Sequence, residues 1–275
     1  MIAVRCKRIP SILPNYRRTD TQTVSVIIAV LNRASTLQRC IDSVSDQTHR
    51  ALELIVFDGG SNDGSREILE TNSAKITHWQ SRPDRGIPHA WNMALERATG
   101  DWICFLGADD RFATSTAIAK LVGVSRDPMI NYVSGRAALI DDDGQVRRII
   151  GTRWNWERMK RYQHIAHPGS IHRRDLFERH GNFDERYPIA FDYEFLLRAG
   201  RAIRAEFIAE PITLMGSAGQ SNTQARKAFR ENRRIHALHP EIGIVGAAIN
   251  HAIAAAKHLA RVASPGRIVS ARNHL

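Results

Sequence analysis

The sequence has little cysteine and no long apolar run. Its 275 residues include three cysteines, Cys6, Cys40 and Cys104, odd in number and far apart. That excludes a disulfide framework and points to a reducing compartment. No Cys-x-x-Cys pair occurs, which removes a cysteine zinc site. Pro10 and Pro14 interrupt the basic start, and no segment of leader length appears there. The run Val24 to Leu31 is too short to cross a bilayer. The Gly-x-Gly-x-x-Gly dinucleotide fingerprint is missing, and so is a phosphate loop ending in Gly-Lys-Ser/Thr. There are no internal repeats.

What is present is enough apolar residue, 43%, for one large α/β domain. Lysine and arginine outnumber aspartate and glutamate, 39 to 28, for a formal charge of +11. Such a balance fits an anionic partner: a nucleotide, an acidic lipid surface or nucleic acid.

Val24 to Leu31 reads as a buried first strand and Leu54 to Phe57 as a second. Between them Leu37, Cys40, Ile41 and Val44 keep helical spacing. Ile76 to Trp79 reads as a shorter strand. Pro88 opens a helix that Gly100 can end. Ile103 to Leu106 is a short apolar run bounded by Gly100 and Gly107, as in a central parallel strand. Strand and helix thus alternate as repeated βαβ units. Farther on, Tyr132–Gly135 and Ala137–Ile140 read as two strands. Asp141 to Gly144 turns into a hairpin, helices start near Arg174 and Asp192, and Ile242 to Ala263 reads as a last amphipathic helix.

Asp109 and Asp110 fall just past the central strand, at the edge where open α/β sheets place ligands. Adjacent carboxylates repel, and a divalent cation with a phosphate-bearing ligand offsets that cost, although Asp is also common in turns and caps. Asp58, in the turn-rich loop Asp58 to Ser65, can accept hydrogen bonds from a base or ribose, or simply build a βα turn. Asp192 and Glu194 either complement a helix dipole or supply a general base. His164, His167 and His172 are separated by Pro168 and Gly169, which break any shared helical face, so they read as loop or core histidines.

Taken in order, Val24–Leu31, the loop Asp58–Ser65, Asp84-Arg-Gly-Ile87, Ala98-Thr-Gly-Asp-Trp102, Phe105-Leu-Gly-Ala-Asp-Asp110 and Phe191-Asp-Tyr-Glu-Phe-Leu-Leu-Arg198 resemble the family 2 glycosyltransferases over residues 23–215. The resemblance implies the GT-A fold, a mostly parallel central sheet with helices on both faces plus C-terminal helices. It implies a nucleotide-binding half at 23–112 and an acceptor half at 113–215, after a basic lead-in at 1–22 and before a helical extension at 216–275. It implies a nucleotide-sugar donor held by Asp58, Asp84, Arg85 and Asp109, and Mg²⁺ or Mn²⁺ on Asp109 and Asp110. Asp192 becomes the catalytic base, with Glu194 beside it, in a single inverting displacement. The acceptor becomes a glycan or a lipid-linked hydroxyl.

The chain departs from the family pattern at Gly107, where a full DXD has its first acid, at Gly59, where many relatives have a second acid, and at His89, where many have aspartate. Two rivals remain in the residues. A nucleotidyltransferase needs a basic Gly-rich loop, and Asn32-Arg33-Ala34-Ser35 is a poor one. A nucleic-acid-binding protein needs interleaved aromatic and basic residues, and Trp154, Trp156 and Arg158 offer little, so nucleic acid is not an expected partner. The last helix either packs on protein, including a second subunit, or lies on an anionic membrane at the cytoplasmic face.

Overall fold

The structure, a computed structural model, describes residues 22–141, 143–216, 224–250 and 252. The expected lead-in, apart from Gln22, and most of the last helix therefore lie outside the described residues.

The first half alternates as expected: β1 (Val24–Val30), α1 (Ala34–Ser45), β2 (Leu52–Asp58), α2 (Ser65–Thr71), β3 (His78–Ser81), α3 (Ile87–Leu95) and β4 (Trp102–Gly107). The second half continues with β5 (Arg111–Phe112), α4 (Ala117–Val124), β6 (Tyr132–Ile140), β7 (Val146–Ile150), α5 (Trp156–Met159), β8 (Ile171–Arg173), α6 (Arg174–His180), α7 (Phe191–Ala199), β9 (Ala205–Met215) and α8 (Ala225–Leu238). Residues 243–250 are helical again.

The nine strands among the described residues form one sheet in the order β3-β2-β1-β4-β8-β6-β9-β5, with β7 beside β6. β1 to β4 pair in parallel. β8 is antiparallel to both β4 and β6, so β6 and its parallel partner β9 run with the first four strands. The sheet is thus mostly parallel, and it crosses without a break from the expected nucleotide half into the acceptor half.

Both faces of the sheet are covered. Along β1, Ile27 faces a core with α3, α6 and α7, whereas Val24, Val26, Ile28 and Val30 face α1, α2 and α4. This is why the strand is apolar at almost every position. The first core is aromatic: Phe105 packs against Trp91 at 4.5 Å, and Phe177 stacks on Phe195 at 4.5 Å. Burying a side chain such as Phe105 contributes about 1.5–3 kcal/mol.

Two readings are corrected here. Tyr132 to Ile140 is one strand, not two, because the register against β9 merely shifts around Arg136. The third strand starts at His78, with Ile76 buried just before it.

Register fixes where the site lies. Val30 pairs with Asp58, Asp58 with Ser81, and Ala29 with Gly107. The ends of four parallel strands therefore share one edge, and the loops that follow them meet there.

Candidate active site

At that edge is a cleft of about 100 Å³, partly open to solvent, lined by Ala29 to Leu31, Arg33, Asp84, Gly86, Ile87 and Gly107 to Asp109. Each wall has a local cause. Two residues past the end of β1, Asn32 turns the chain sharply with a φ of 52°. Asn32 is held there because its N–H donates to Ser61 Oγ at 2.8 Å and its Oδ1 accepts from Asn62 N–H at 3.1 Å. Helix α1 has no side-chain cap of its own. The 58–65 loop provides one: Ala34 N–H donates to Asp63 Oδ2 and Arg33 N–H to Ser65 Oγ, both at 3.0 Å. Bonds from Ser65 and then from Ala34 hold the Asp63 carboxyl below its ordinary acidity range. The loop thereby fixes Arg33 at the cleft wall, a cationic residue that the sequence reading passed over.

Asp58 is buried and serves its own loop. Its Oδ2 accepts from Gly60 N–H, Ser61 N–H and Ser81 Oγ, and its Oδ1 from Ser61 Oγ. It does not line the cleft. Asp84 does, and its Oδ1 accepts Gly86 N–H at 2.7 Å. Gly59 lies against it: a Cβ there would stand 3.0 Å from Asp84 Oδ2. The missing second acid thus makes room for Asp84. Arg85 is turned toward the second half of the chain, where its guanidinium pairs with Glu185 Oε2 at 2.7 and 3.0 Å.

The acidic pair divides its work. Asp109 lines the cleft, and its Oδ2 is buried without a hydrogen-bond partner. Asp110 lies behind it, accepting Gly107 N–H at 3.2 Å and Gly216 N–H at 3.3 Å. Burial, and then the charge of Asp109, push the Asp110 carboxyl up to about 8. At Gly107 a Cβ would fall 2.7 Å from Asp110 Oδ2 and 2.9 Å from Asp109 Oδ1. The family's first acid is absent because both carboxylates fold back over that position. The pair fits a divalent cation, which would supply the positive charge it lacks, with the unpartnered Asp109 oxygen as one ligand. Among the described residues no three His, Cys, Asp or Glu side chains converge on one point, so further ligands would have to come from phosphate or water.

Asp192 lies in the first turn of α7, where Gln163 Nε2 donates to its Oδ2 at 2.8 Å and Tyr193 N–H to its Oδ1 at 2.7 Å. Helix α3, whose first turn lines the cleft, reaches the same helix: Trp91 meets Phe191 edge-on at 5.1 Å. His167 and His172 are core residues as expected, 5.0 Å apart and both held below ordinary histidine acidity by burial. The negative charge of Asp192 opposes that shift at His167. Glu194, two residues on, leaves the helix on another side. It pairs with Arg198 at 2.9 and 3.0 Å and lines a separate cavity between α7 and α8.

Comparison with known proteins agrees with this arrangement. The family model described as glycosyl transferase family 2 matches residues 25–185. An uncharacterised glycosyltransferase of Mycobacterium tuberculosis is 31% identical over 85% of this chain and 90% of its own length. A PGL/p-HBAD biosynthesis glycosyltransferase of Mycobacterium bovis is 30% identical over 63% of this chain and 68% of its own length. Among solved structures, S. aureus TarS in complex with UDP-GlcNAc covers 88% of this chain and 74% of its own, with a TM-score of 0.67 at 16% identity. The mannosyltransferase PcManGT from Pyrobaculum calidifontis, in complex with GDP-Man and Mn²⁺, covers 89% of this chain and 79% of its own, with a TM-score of 0.59 at 19% identity. The structural likenesses establish the GT-A fold. The family match spans β1 to the end of α6 and beyond, and the relatives cover most of both chains, so this chain is a glycosyltransferase and belongs to glycosyl transferase family 2.

Proposed function

We propose that the chain transfers a sugar from a nucleotide-sugar donor to an acceptor hydroxyl with inversion, in the building of a surface glycan. One observation carries the donor side of this reading: Asp109, which keeps a buried carboxyl oxygen without a hydrogen-bond partner, lines the same cleft as Arg33 and Asp84. A diphosphate brings negative charge that Arg33 can meet, while Asp84 can accept hydrogen bonds from the ribose or base. Asp109, with Asp110 behind it, would hold Mg²⁺ or Mn²⁺, which supplies charge stabilisation for the departing nucleoside diphosphate. Asp58 supports the nucleoside side indirectly through its loop.

Asp192 takes the proton from the acceptor hydroxyl as the oxygen attacks the anomeric carbon. Gln163 fixes the carboxylate for that transfer. The sugar passes through an oxocarbenium-like state, and attack opposite the leaving group inverts the centre. Glu194 is tied to Arg198 and steadies α7 rather than acting on substrate.

On the acceptor side, Ile244, Val245 and Ile249 are 77%, 75% and 56% exposed, while Ile242 packs on the core. Exposed Arg226, Lys227, Arg230, Arg233 and Arg234 precede them on α8. No helix among the described residues is long and apolar enough to cross a membrane. Apolar and basic groups in this succession fit peripheral binding to an anionic membrane on its cytoplasmic face, where a lipid-linked acceptor is presented.

The test is a screen of nucleotide sugars, including UDP-N-acetylglucosamine and GDP-mannose, for thermal stabilisation and for donor hydrolysis with Mn²⁺ or Mg²⁺. Binding of at least one donor, lost in Asp109→Asn and with hydrolysis abolished by chelator, is the expected result. Full turnover in the presence of chelator removes the metal, and failure to bind any nucleotide removes the donor reading. Salt-sensitive cosedimentation with anionic vesicles tests the membrane contact, and its absence removes it.

A further inference from the structure

Helix α7 begins without a cap. The residues before it are Pro188, Ile189 and Ala190, and Ala190 at the N-cap has no side chain that can accept a hydrogen bond. The polar N–H groups at this buried start need a partner from elsewhere. Glu231 of α8 provides it. Its Oε2 accepts Ile189 N–H at 2.9 Å and Ala190 N–H at 2.8 Å, while its Oε1 is buried without a partner. Glu231 is 8% exposed. A carboxylate removed from water in this way needs compensation, and the two N–H groups and the positive end of the α7 dipole give it.

The same helix reaches α7 at two further levels. His236 Nε2 lies 2.8 Å from the Tyr193 hydroxyl, and His239 Nε2 lies 3.2 Å from Leu197 O. As residue numbers rise from 231 within α8 to 239 just past its end, the partners rise from 190, at the cap of α7, to 197. The helical extension thus runs beside α7 and secures its start, its middle and its end. The matched family segment stops at residue 185 and includes neither helix.

We propose that Glu231 is a positioning residue for the transfer reaction: it fixes the first turn of α7 and through it the direction of the Asp192 carboxylate. This rests on the reading of Asp192 as the base. Asp192 is two residues past the capped Ala190, so a shift of the helix start moves its carboxylate directly. Gln163 contacts one carboxylate oxygen and Tyr193 N–H the other, and neither of these bonds fixes the backbone before residue 192. A displacement of about 1 Å in a reacting group can cost on the order of a hundredfold in rate.

The test uses the full chain and two substitutions. Both N–H bonds go to a single oxygen, so Glu231→Gln can keep them with its carbonyl oxygen. Glu231→Met fills the same space and accepts neither, and Glu231→Ala is the second loss variant if the methionine chain does not fold. Two readouts are taken: amide hydrogen exchange at residues 189–193, and hydrolysis of UDP-N-acetylglucosamine and GDP-mannose with Mn²⁺. In the loss variant exchange at 189–193 should rise about tenfold or more while Phe195 to Leu197 stay protected, since only the start of the helix is released. Its kcat should fall about ten- to a hundredfold at unchanged donor KM, and Glu231→Gln should restore both readouts. Unchanged exchange at 189–193 overturns the proposal. So does a loss of kcat that Glu231→Gln fails to restore, or a rise in KM that accounts for the whole effect. If the wild type binds and hydrolyses neither donor, the transfer reading fails for these donors, and the exchange result still decides whether Glu231 holds α7.

Discussion

Replacing Asp110 with asparagine should change how stability depends on pH, and the structure gives the size of the change. The Asp110 carboxyl is pushed from its ordinary 3.8 up to about 8 by burial and by Asp109. The folded chain therefore keeps a proton that the unfolded chain releases, over the whole window between those values. Stability must fall as pH rises through that window. With these two values the loss between pH 5 and pH 8 amounts to about 3–4 kcal/mol. Asp110→Asn keeps one acceptor for the N–H groups of Gly107 and Gly216 and loses the other, a pH-independent cost of about 1–3 kcal/mol. The stability of the variant minus that of the wild type should then climb by about 3–4 kcal/mol from pH 5 to pH 8, because titration of groups remote from Asp110 cancels in the difference. Urea unfolding followed by tryptophan fluorescence in chelator, at closely spaced pH values, measures it. Parallel curves for the two proteins would refute the reasoning, since they would mean that Asp110 ionises normally. Added Mn²⁺ with UDP at pH 8 should raise wild-type stability and do little for the variant.

Asp192→Asn should abolish turnover and leave the donor dissociation constant within about twofold, because a base acts in the chemical step; lost nucleotide binding by calorimetry would make Asp192 a donor ligand instead. Arg33→Ala should weaken UDP binding by about ten- to a hundredfold, the value of a charge-assisted hydrogen bond of about 1.5–3 kcal/mol, and the wild-type affinity should fall with salt. Gly59→Asp should lower both stability and UDP affinity, since its side chain enters space 3.0 Å from the Asp84 carboxylate, whereas Gly59→Ser should be milder; equal melting temperatures for the aspartate and serine variants would show that the two acids do not interact.

Much of the frame was legible because it depends on local pattern. The apolar run at β1, the spacing of Leu37, Cys40, Ile41 and Val44, and the Pro88 start of α3 each encode their element within a few residues. Strands β8 and β9 were not read. Three residues carry no periodicity, and the alternation of β9 is broken around Pro211, where the register against β6 shifts. The site was half legible. Asp84 and Asp109 line the cleft, but no motif could show that Asp58 would be taken up by its own loop or that Arg85 would turn to Glu185. Arg33 had a local signal, a basic residue just past the first strand, that was set aside for want of glycines. Gln163 and Glu231 had none, because each meets α7 across 29 or more residues of chain.

The unbroken sheet constrains how this enzyme can be recombined with its relatives. A natural place to exchange acceptor specificities is the junction after Phe112, between the two expected halves. Yet β5, at 111–112, is hydrogen-bonded to Thr213 and Leu214 of β9, and β4 is zipped to β8. A chimera joined there would ask strands from two parents to form every one of those ladders. A joint just after β9 is no better, since it would separate α7 from the helix that secures it. The first joint that cuts neither is beyond His239, so specificity should be moved between relatives by grafting loops at the cleft edge, or by exchanging the whole body up to that point.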